Sequence, residues 1–423
     1  MEALFYSSLN LLFLIYTSFY CVKRRVDSAV FFYCLITLYF INIPLFYDSF
    51  MVLSHGMSYW ERYLQDVNIQ WSSNTLTNIN IIARDSLVFN CCFIFSYYFV
   101  NKKRLLSQNL NFRPYGSNTI TDLSWRRCFF LSYFGLAIFM VYNQISSFSM
   151  MDVGEWYENR LNNRVIALLS TIFVPLMSVG VIRAFYAKNI IGGLLVIAPV
   201  LIIGIFTGAR SQIIPVVFYV IYFFIWSNAK LKLKNILLFG GIAFALVLLL
   251  TISRETVTAI YPVYKDWAYI DLFYSYDVAS SISTHGLNSL VMIARDILPV
   301  QVQDITTLVA DTKYGVGWGS LHPSLLGWAY IDLLNLNWLL AIFFGVLMAI
   351  YDRLRHNMPN AIYFMFLSYE FAFLAIAIRG SVQFAYSQLF YPIVILILLF
   401  IFDKSKVIKC HYDRSNNGVS IAK

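Results

Sequence analysis

Charge is scarce in this chain. Only 13% of its 423 residues are Asp, Glu, Lys or Arg and 59% are hydrophobic, whereas soluble domains carry roughly 25% charged residues. With a mean hydropathy of +0.66, a water-soluble globule is excluded. Cysteine is thin as well. Five of the six fall in or near apolar runs (Cys21, Cys34, Cys91, Cys92, Cys128), Cys410 lies in the terminal tail, and the longest polar stretch has none. That leaves no disulfide framework and no Cys-rich metal site. No Asp-x-Asp occurs anywhere, so a cation bridging a nucleotide diphosphate lacks its usual paired carboxylates. Neither a metal nor another cofactor is expected. Internal repeats, low-complexity blocks and a soluble appendage are absent too, which leaves a single transmembrane domain over 1–423.

What is abundant is long apolar sequence. Eleven spans, at roughly 3–22, 29–51, 81–100, 128–146, 165–187, 189–207, 211–228, 235–252, 337–351, 359–378 and 382–402, are each about long enough to cross ~30 Å of hydrocarbon. The expected class is an all-α polytopic membrane protein. The first span begins at Ala3 with no basic residue before it and no small-residue cleavage pattern after it, so it reads as a retained anchor.

Basic residues orient these spans. Assigning the span ends that carry Lys23-Arg24-Arg25, Lys102 to Arg104, Lys230 to Lys234, Arg353, Arg355 and Lys404 to Lys406 to the cytoplasm puts 21 of the 31 Lys and Arg inside, with all those on the cytoplasmic side counted. The amino terminus then lies outside and the carboxyl terminus inside. The net charge of +9 is mostly this asymmetry, which gives no support to nucleic-acid binding. Lipid headgroups will meet Lys230, Lys232 and Lys234. Ten cations stay on the outer side: Arg62, Arg84, Arg160, Arg164, Arg210, Arg254, Lys265, Arg295, Lys313 and Arg379. Topology does not need them there, so an anion is the expected partner of several.

The outer side also holds the one long loop, 253–336, which runs for more than eighty positions. Loops of that length in compact proteins are usually functional. Its start is rich in aromatics (Tyr261, Tyr264, Trp267, Tyr269, Phe273, Tyr274, Tyr276), and a helical pattern covers Leu287 to Leu298. Such rings stack on sugars or form an interfacial belt. The loop ends in Tyr314-Gly315-Val316-Gly317-Trp318-Gly319-Ser320-Leu321-His322-Pro323-Ser324-Leu325-Leu326-Gly327-Trp328-Ala329-Tyr330. Glycines there permit tight turns and close approach, Pro323 suits a helix start, and Ser320 and Ser324 can cap free N–H groups. A helix amino terminus dipping into the outer leaflet would favour a phosphate, although a turn and cap without any ligand has the same sequence.

Three arginines stand near bilayer depth. Arg210 follows Gly208-Ala209 between two nearly abutting spans, Arg379 precedes Gly380-Ser381 in a similar junction, and Arg254 opens the long loop beside Glu255. Charge at such depth costs about 2.5–3.5 kcal/mol or more unless it pairs or snorkels to the headgroups. A guanidinium fork suits a diphosphate better than an ammonium does.

The Gly208-Ala209-Arg210-Ser211 junction, the large outer loop, its Gly-Ser-x-x-Pro-Ser-x-x-Gly ending from Gly319 to Gly327 and then Tyr330 resemble the Wzy-type O-antigen or oligosaccharide repeat-unit polymerases of bacterial inner membranes. The resemblance covers most of the chain. Where that group often continues with a glycine pair, this chain has Leu334-Asn335-Leu336-Asn337. It implies a GT-C-like helical fold, an active site facing the periplasm and a transferase that moves a growing glycan from undecaprenyl pyrophosphate to the non-reducing sugar of the next lipid-linked unit. By resemblance only, a membrane chain-length regulator is a partner.

Displacing pyrophosphate from an anomeric carbon requires positive charge on the departing oxygens and a base at the attacking hydroxyl. Arg210, Arg254 and Arg379, then Arg160, Arg164 and Arg295, are the candidates for the first role. His322 is the first candidate for the second because imidazole titrates near neutrality, with His285, Glu255, Asp277 and Asp296 as alternatives. Gly319, Ser320, Ser324 and Tyr330 are candidates for shaping the turn or touching sugar. Two rival classes fit many spans and outer charge: a flippase for the same lipid-linked units and a ligase that moves finished glycan onto lipid A. A transporter usually shows pseudo-repeated halves with charge near the midplane, and the ligase fits the glycine-serine-proline ending less well.

Overall fold

A computed structural model describes residues 2–24, 29–55, 75–105, 323–356 and 360–380 as continuous segments, with shorter stretches within 130–134, 184–199, 275–282, 308–312 and 385–393. Among the described residues every regular element is helical and there is no strand. The chain forms two compact units, one of Met1–Phe112, Ile221–Leu354 and Phe371–Tyr386, the other of Arg113–Val220, Arg355–Glu370 and Ser387–Lys423.

In the first unit, α1 (Glu2–Arg24) turns Ala3, Ser7, Asn10, Leu14, Thr17, Ser18 and Cys21 inward, a seam in which all but Leu14 are small or polar, spaced at helical intervals. Most of its large apolar residues, among them Phe5, Leu12, Tyr16 and Phe19, are exposed instead. That polarity is inverted relative to a soluble helix and matches helices that pack through small residues while facing lipid. The seam packs mainly on α4 (Thr75–Leu105), whose 31 residues reach about 46 Å at ~1.5 Å per residue, beyond the hydrocarbon thickness.

Between them lie α2 (Ala29–Thr37), a π turn (Leu38–Asn42) and α3 (Ile43–His55). Pro44 explains the interruption. It has no N–H for the carbonyl four residues earlier and its ring crowds that carbonyl, so a wider turn just ahead of it relieves both faults. Among the described residues, three helical segments are long and apolar enough to cross a membrane: Glu2–Arg24, Ala29–Phe50 and Thr77–Asn101.

The end of the long loop folds as α5 (Ser324–Leu333), a 3-10 turn (Leu334–Leu336), α6 (Trp338–His356) and α7 (Asn360–Arg379). α5 is buried over most of its circumference. Leu325 and Leu326 share a small cavity with Tyr33, Thr37, Ile41, Ser86, Phe89, Asn90 and Ile378, so this helix lies alongside α2, α4 and α7. Gly345 of α6 meets α4 so closely that a Cβ would overlap the Ser96 hydroxyl and the Phe93 carbonyl. Only glycine fits that approach. Aromatic contacts complete the packing, with Tyr33 stacked on Phe93 at 3.8 Å and Phe32 edge-on to Phe371 at 5.4 Å. Asp352 of α6 accepts from the Ala29 N–H at 3.0 Å and from the Tyr97 hydroxyl, capping the start of α2. Arg353 donates to Asn101 Oδ1 at 3.0 Å and to the Val100 carbonyl.

Leu334 has φ 48° and ψ −122°. That is the conformation of the first central residue of a type II′ turn, where glycine is preferred. The backbone bends there as glycine would allow, with leucine carrying the strain.

In the second unit, Asn189 Oδ1 accepts from the Gly192 N–H at 2.8 Å and caps helical residues that begin at 191. Arg355 and Glu370 form an ion pair of 2.9 Å with both side chains fully buried. Among the described residues, Cys34, Cys91 and Cys92 are reduced thiols, and the Cys21 sulfur lies 3.5 Å from the Tyr98 hydroxyl.

Candidate functional site

Two polar features of the first unit occupy the end of the helices that the charge pattern assigns to the outer face. The first joins the long loop to a span junction. The Ser324 N–H, in a residue with φ 61°, donates to the Gly380 carbonyl at 2.7 Å. Pro323 takes the N-cap position of α5, and the Ser324 hydroxyl accepts from the Gly327 N–H at 3.4 Å, so Ser324 caps the helix start from one position further in. Arg379 sits in the last turn of α7, next to Gly380, and its side chain is exposed. The serine of the loop ending and the arginine of the last junction, 55 positions apart in sequence, therefore belong to one locality.

The second feature centres on Asp85 of α4. Adjacent residues on a helix do not normally face one another, yet Arg84 folds back so that its Nε and Nη2 donate to Asp85 Oδ1 at 3.2 and 3.1 Å. The other carboxylate oxygen, Oδ2, accepts from Asn337 Nδ2 at 3.0 Å and from the Tyr276 hydroxyl at 3.4 Å. Tyr276, in a helical stretch at 275–279, stacks on Tyr330 of α5 with centroids 3.8 Å apart and planes 12° from parallel. Burial, together with the Asp85 carboxylate beside it, pushes the Tyr276 phenol well above its ordinary range, so it stays protonated and acts as a donor. Burial raises Tyr330 in the same direction. The Asp85 side chain is 8% exposed and that of Arg84 is 49% exposed, so the carboxylate is closed in while the guanidinium keeps an open edge.

Of the candidates read from sequence, Ser324, Tyr330 and Arg379 lie among the described residues, and Ser324 is bonded to the residue after Arg379. Asp277 is described too, next to Tyr276. Arg160, Arg164, Arg210, Arg254, Arg295, Gly319, Ser320, His322, His285, Glu255 and Asp296 lie outside the described residues. Asp85 and Asn337 were not among the candidates. A carboxylate beside an arginine within an apolar span was the available signal for Asp85, because ionisable residues at such positions are retained for a reason. For Asn337 there was none, since an asparagine in a turn is ordinary.

The fold and this pair of features define a helical membrane protein with a polar, partly open face. No protein-family model, curated protein or solved structure matches the chain.

Proposed function

We propose that this chain is a polymerase of lipid-linked oligosaccharide repeat units, embedded by about eleven helices of GT-C-like arrangement in a bacterial inner membrane, with its site on the periplasmic side. The observation that carries this reading is the hydrogen bond from Ser324 to Gly380. It brings the glycine-serine-proline ending of the long loop, the part most like the polymerase group, to the arginine junction suited to a pyrophosphate. In the reaction proposed, the acceptor sugar's hydroxyl oxygen forms a bond to the anomeric carbon of the donor glycan. The bond from that carbon to the pyrophosphate oxygen breaks, undecaprenyl pyrophosphate departs, and the hydroxyl proton passes to a base. Arg379, with Arg210, Arg254, Arg160, Arg164 and Arg295, would neutralise the leaving oxygens, and His322 would take the proton.

The test is a gel of surface glycan from the source bacterium with this gene deleted, then complemented with wild type, Arg210→Ala, Arg379→Ala and His322→Ala. The expected result is a ladder collapsed to lipid A core bearing one repeat, restored by wild type and not by either arginine variant at normal protein level. Full polymer length from His322→Ala would remove that residue from the mechanism. An unchanged ladder in the deletion strain would overturn the reading. Total loss of surface glycan would replace it, with a flippase if single units accumulate on the cytoplasmic side and with a ligase if long polymer accumulates on undecaprenyl pyrophosphate.

A further inference from the structure

The cluster around Asp85 has a chemistry the transfer step above does not use. One face of Tyr330 is covered by Tyr276 at 3.8 Å, and the residue remains half-buried. What it offers to a ligand is its other face and its hydroxyl edge. An apolar aromatic face of this kind suits the C–H side of a sugar ring, and the phenol can bond a sugar hydroxyl. Beside it, Arg84 spends Nε and one Nη2 donor on Asp85 and keeps its remaining N–H groups on a side chain 49% exposed. Those donors form a planar fork matched to an oxyanion.

Asp85 itself is poorly placed as a base. Both its oxygens already accept, one from Arg84 and the other from Asn337 and Tyr276, so the carboxylate is engaged by the protein on both sides. Its geometry does something else: one oxygen fixes the guanidinium and the other fixes the Tyr276 hydroxyl on which the stacked pair depends. A single buried carboxylate thus sets the position of both the cation and the aromatic platform.

We propose that Tyr330 and Arg84 form a subsite that binds one sugar ring of the lipid-linked repeat unit together with an oxyanion near it, with Asp85 and Tyr276 as positioning residues. The identity of the ligand rests on the polymerase reading above. Ser324 and Tyr330 are six residues apart on one helix, which is about 9 Å at ~1.5 Å per residue. The subsite therefore stands away from the Ser324–Gly380 locality and grips an oligosaccharide at a ring other than the one at that junction. The oxyanion is either an acidic group on the glycan or the phosphate of its lipid carrier.

The experiment uses the full chain in nanodiscs and three probes: the lipid-linked repeat unit extracted from the deletion strain, the same oligosaccharide released from its lipid, and undecaprenyl pyrophosphate bearing no sugar. Tyr330→Ala should weaken the lipid-linked unit and the released oligosaccharide by about tenfold and leave the sugar-free lipid unchanged, with Tyr330→Phe recovering most of the loss. Arg84→Gln should weaken the lipid-linked unit by about tenfold or more. A matching loss with the released oligosaccharide assigns the oxyanion to the glycan, and a matching loss with the sugar-free lipid assigns it to the carrier. Asp85→Asn should cost at least as much as Arg84→Gln, and the double variant no more than Asp85→Asn alone, since the carboxylate positions both the guanidinium and the Tyr276 hydroxyl. Wild-type affinity of both Tyr330→Ala and Arg84→Gln for all three probes would overturn the subsite. Wild-type protein that binds the lipid-linked unit no better than bulk lipid would overturn the polymerase reading and the subsite with it.

Discussion

Arg84-Asp85 and Ser86 are neighbours on α4, yet they end in opposite circumstances. Ser86 belongs to a neutral network with Asn10, Asn42, Asn90 and Tyr33, all of them buried. Asn10 donates to Ser86 at 3.0 Å and to Asn42, Asn90 donates to Asn10 at 2.9 Å, Ser86 donates to Asn42 at 3.3 Å, and Tyr33 donates to Asn90. Both donors and the acceptor of the Asn10 amide are used within the protein. Two residues earlier on the same helix, Arg84 keeps half of its side chain exposed and part of its donor set unspent. Closed neutral networks hold helices to one another in a membrane, where an unmet polar group has no water to turn to. An anchored cation with an open edge has its geometry fixed and its hydrogen bonding unfinished, which is the condition of a binding group.

Closure, not charge, is the distinguishing property, and Arg355–Glu370 puts that to the hardest test. Both side chains are fully buried, so this pair should behave as structure despite being ionic. Glu370→Ala leaves a buried guanidinium without its carboxylate and should cost about 3–5 kcal/mol. Paired replacement by Met and Leu should be close to neutral. Thermal unfolding in detergent reads both, and a tolerated Glu370→Ala would show that closure does not define the structural class.

Dislodging α4 itself should come next. Gly345→Leu forces a side chain onto the Ser96 hydroxyl and the Phe93 carbonyl, at a cost of about 3 kcal/mol. Loss of a monodisperse species on size exclusion is the expected outcome, with both polar groups of α4 failing together. Asn10→Leu should cost less, about 1–3 kcal/mol, because it takes the acceptor from the buried Asn90 amide and a donor from Asn42 and Ser86 without removing a charge. It should lower the midpoint of unfolding while any ligand binding at Arg84 survives at lower temperature. Smallest in stability is Arg84→Gln, expected to cost about 1 kcal/mol or less because the guanidinium is half-exposed and the buried Asp85 keeps its bonds from Asn337 and Tyr276. That variant should lose ligand and keep its fold, the reverse of Asn10→Leu. If the two variants gave the same pattern, the contrast between the regions would collapse.

Among the described residues, the helical framework was legible in the chain. The expected spans 3–22, 81–100, 337–351 and 359–378 fall on α1, α4, α6 and α7, with ends displaced by up to several residues. The boundaries were less visible because helices run on past the hydrocarbon, as α4 does with Thr75 to Asn80 and Asn101 to Leu105, where no apolar signal marks them. The expected span at 29–51 hides a π turn, and Pro44 was its only sign. Pro323 and Ser324 announced a helix start correctly, but Leu334 gave no warning of a left-handed backbone, since nothing in a leucine side chain asks for one. For the site, Arg379 and Ser324 could each be singled out, but not the bond between Ser324 and Gly380.

By itself, the sequence determined that this protein is a helical membrane protein, where several of its helices run and which ends carry the basic residues. Those properties depend on local hydropathy and on charges that the bilayer sorts one segment at a time. Tertiary structure alone decided which polar residues meet: Asn337 reaches Asp85 across 252 positions and Tyr276 reaches it across 191. Such pairings follow from how helices pack, and a carboxylate has no preference for a distant asparagine or tyrosine until packing places them within hydrogen-bonding distance.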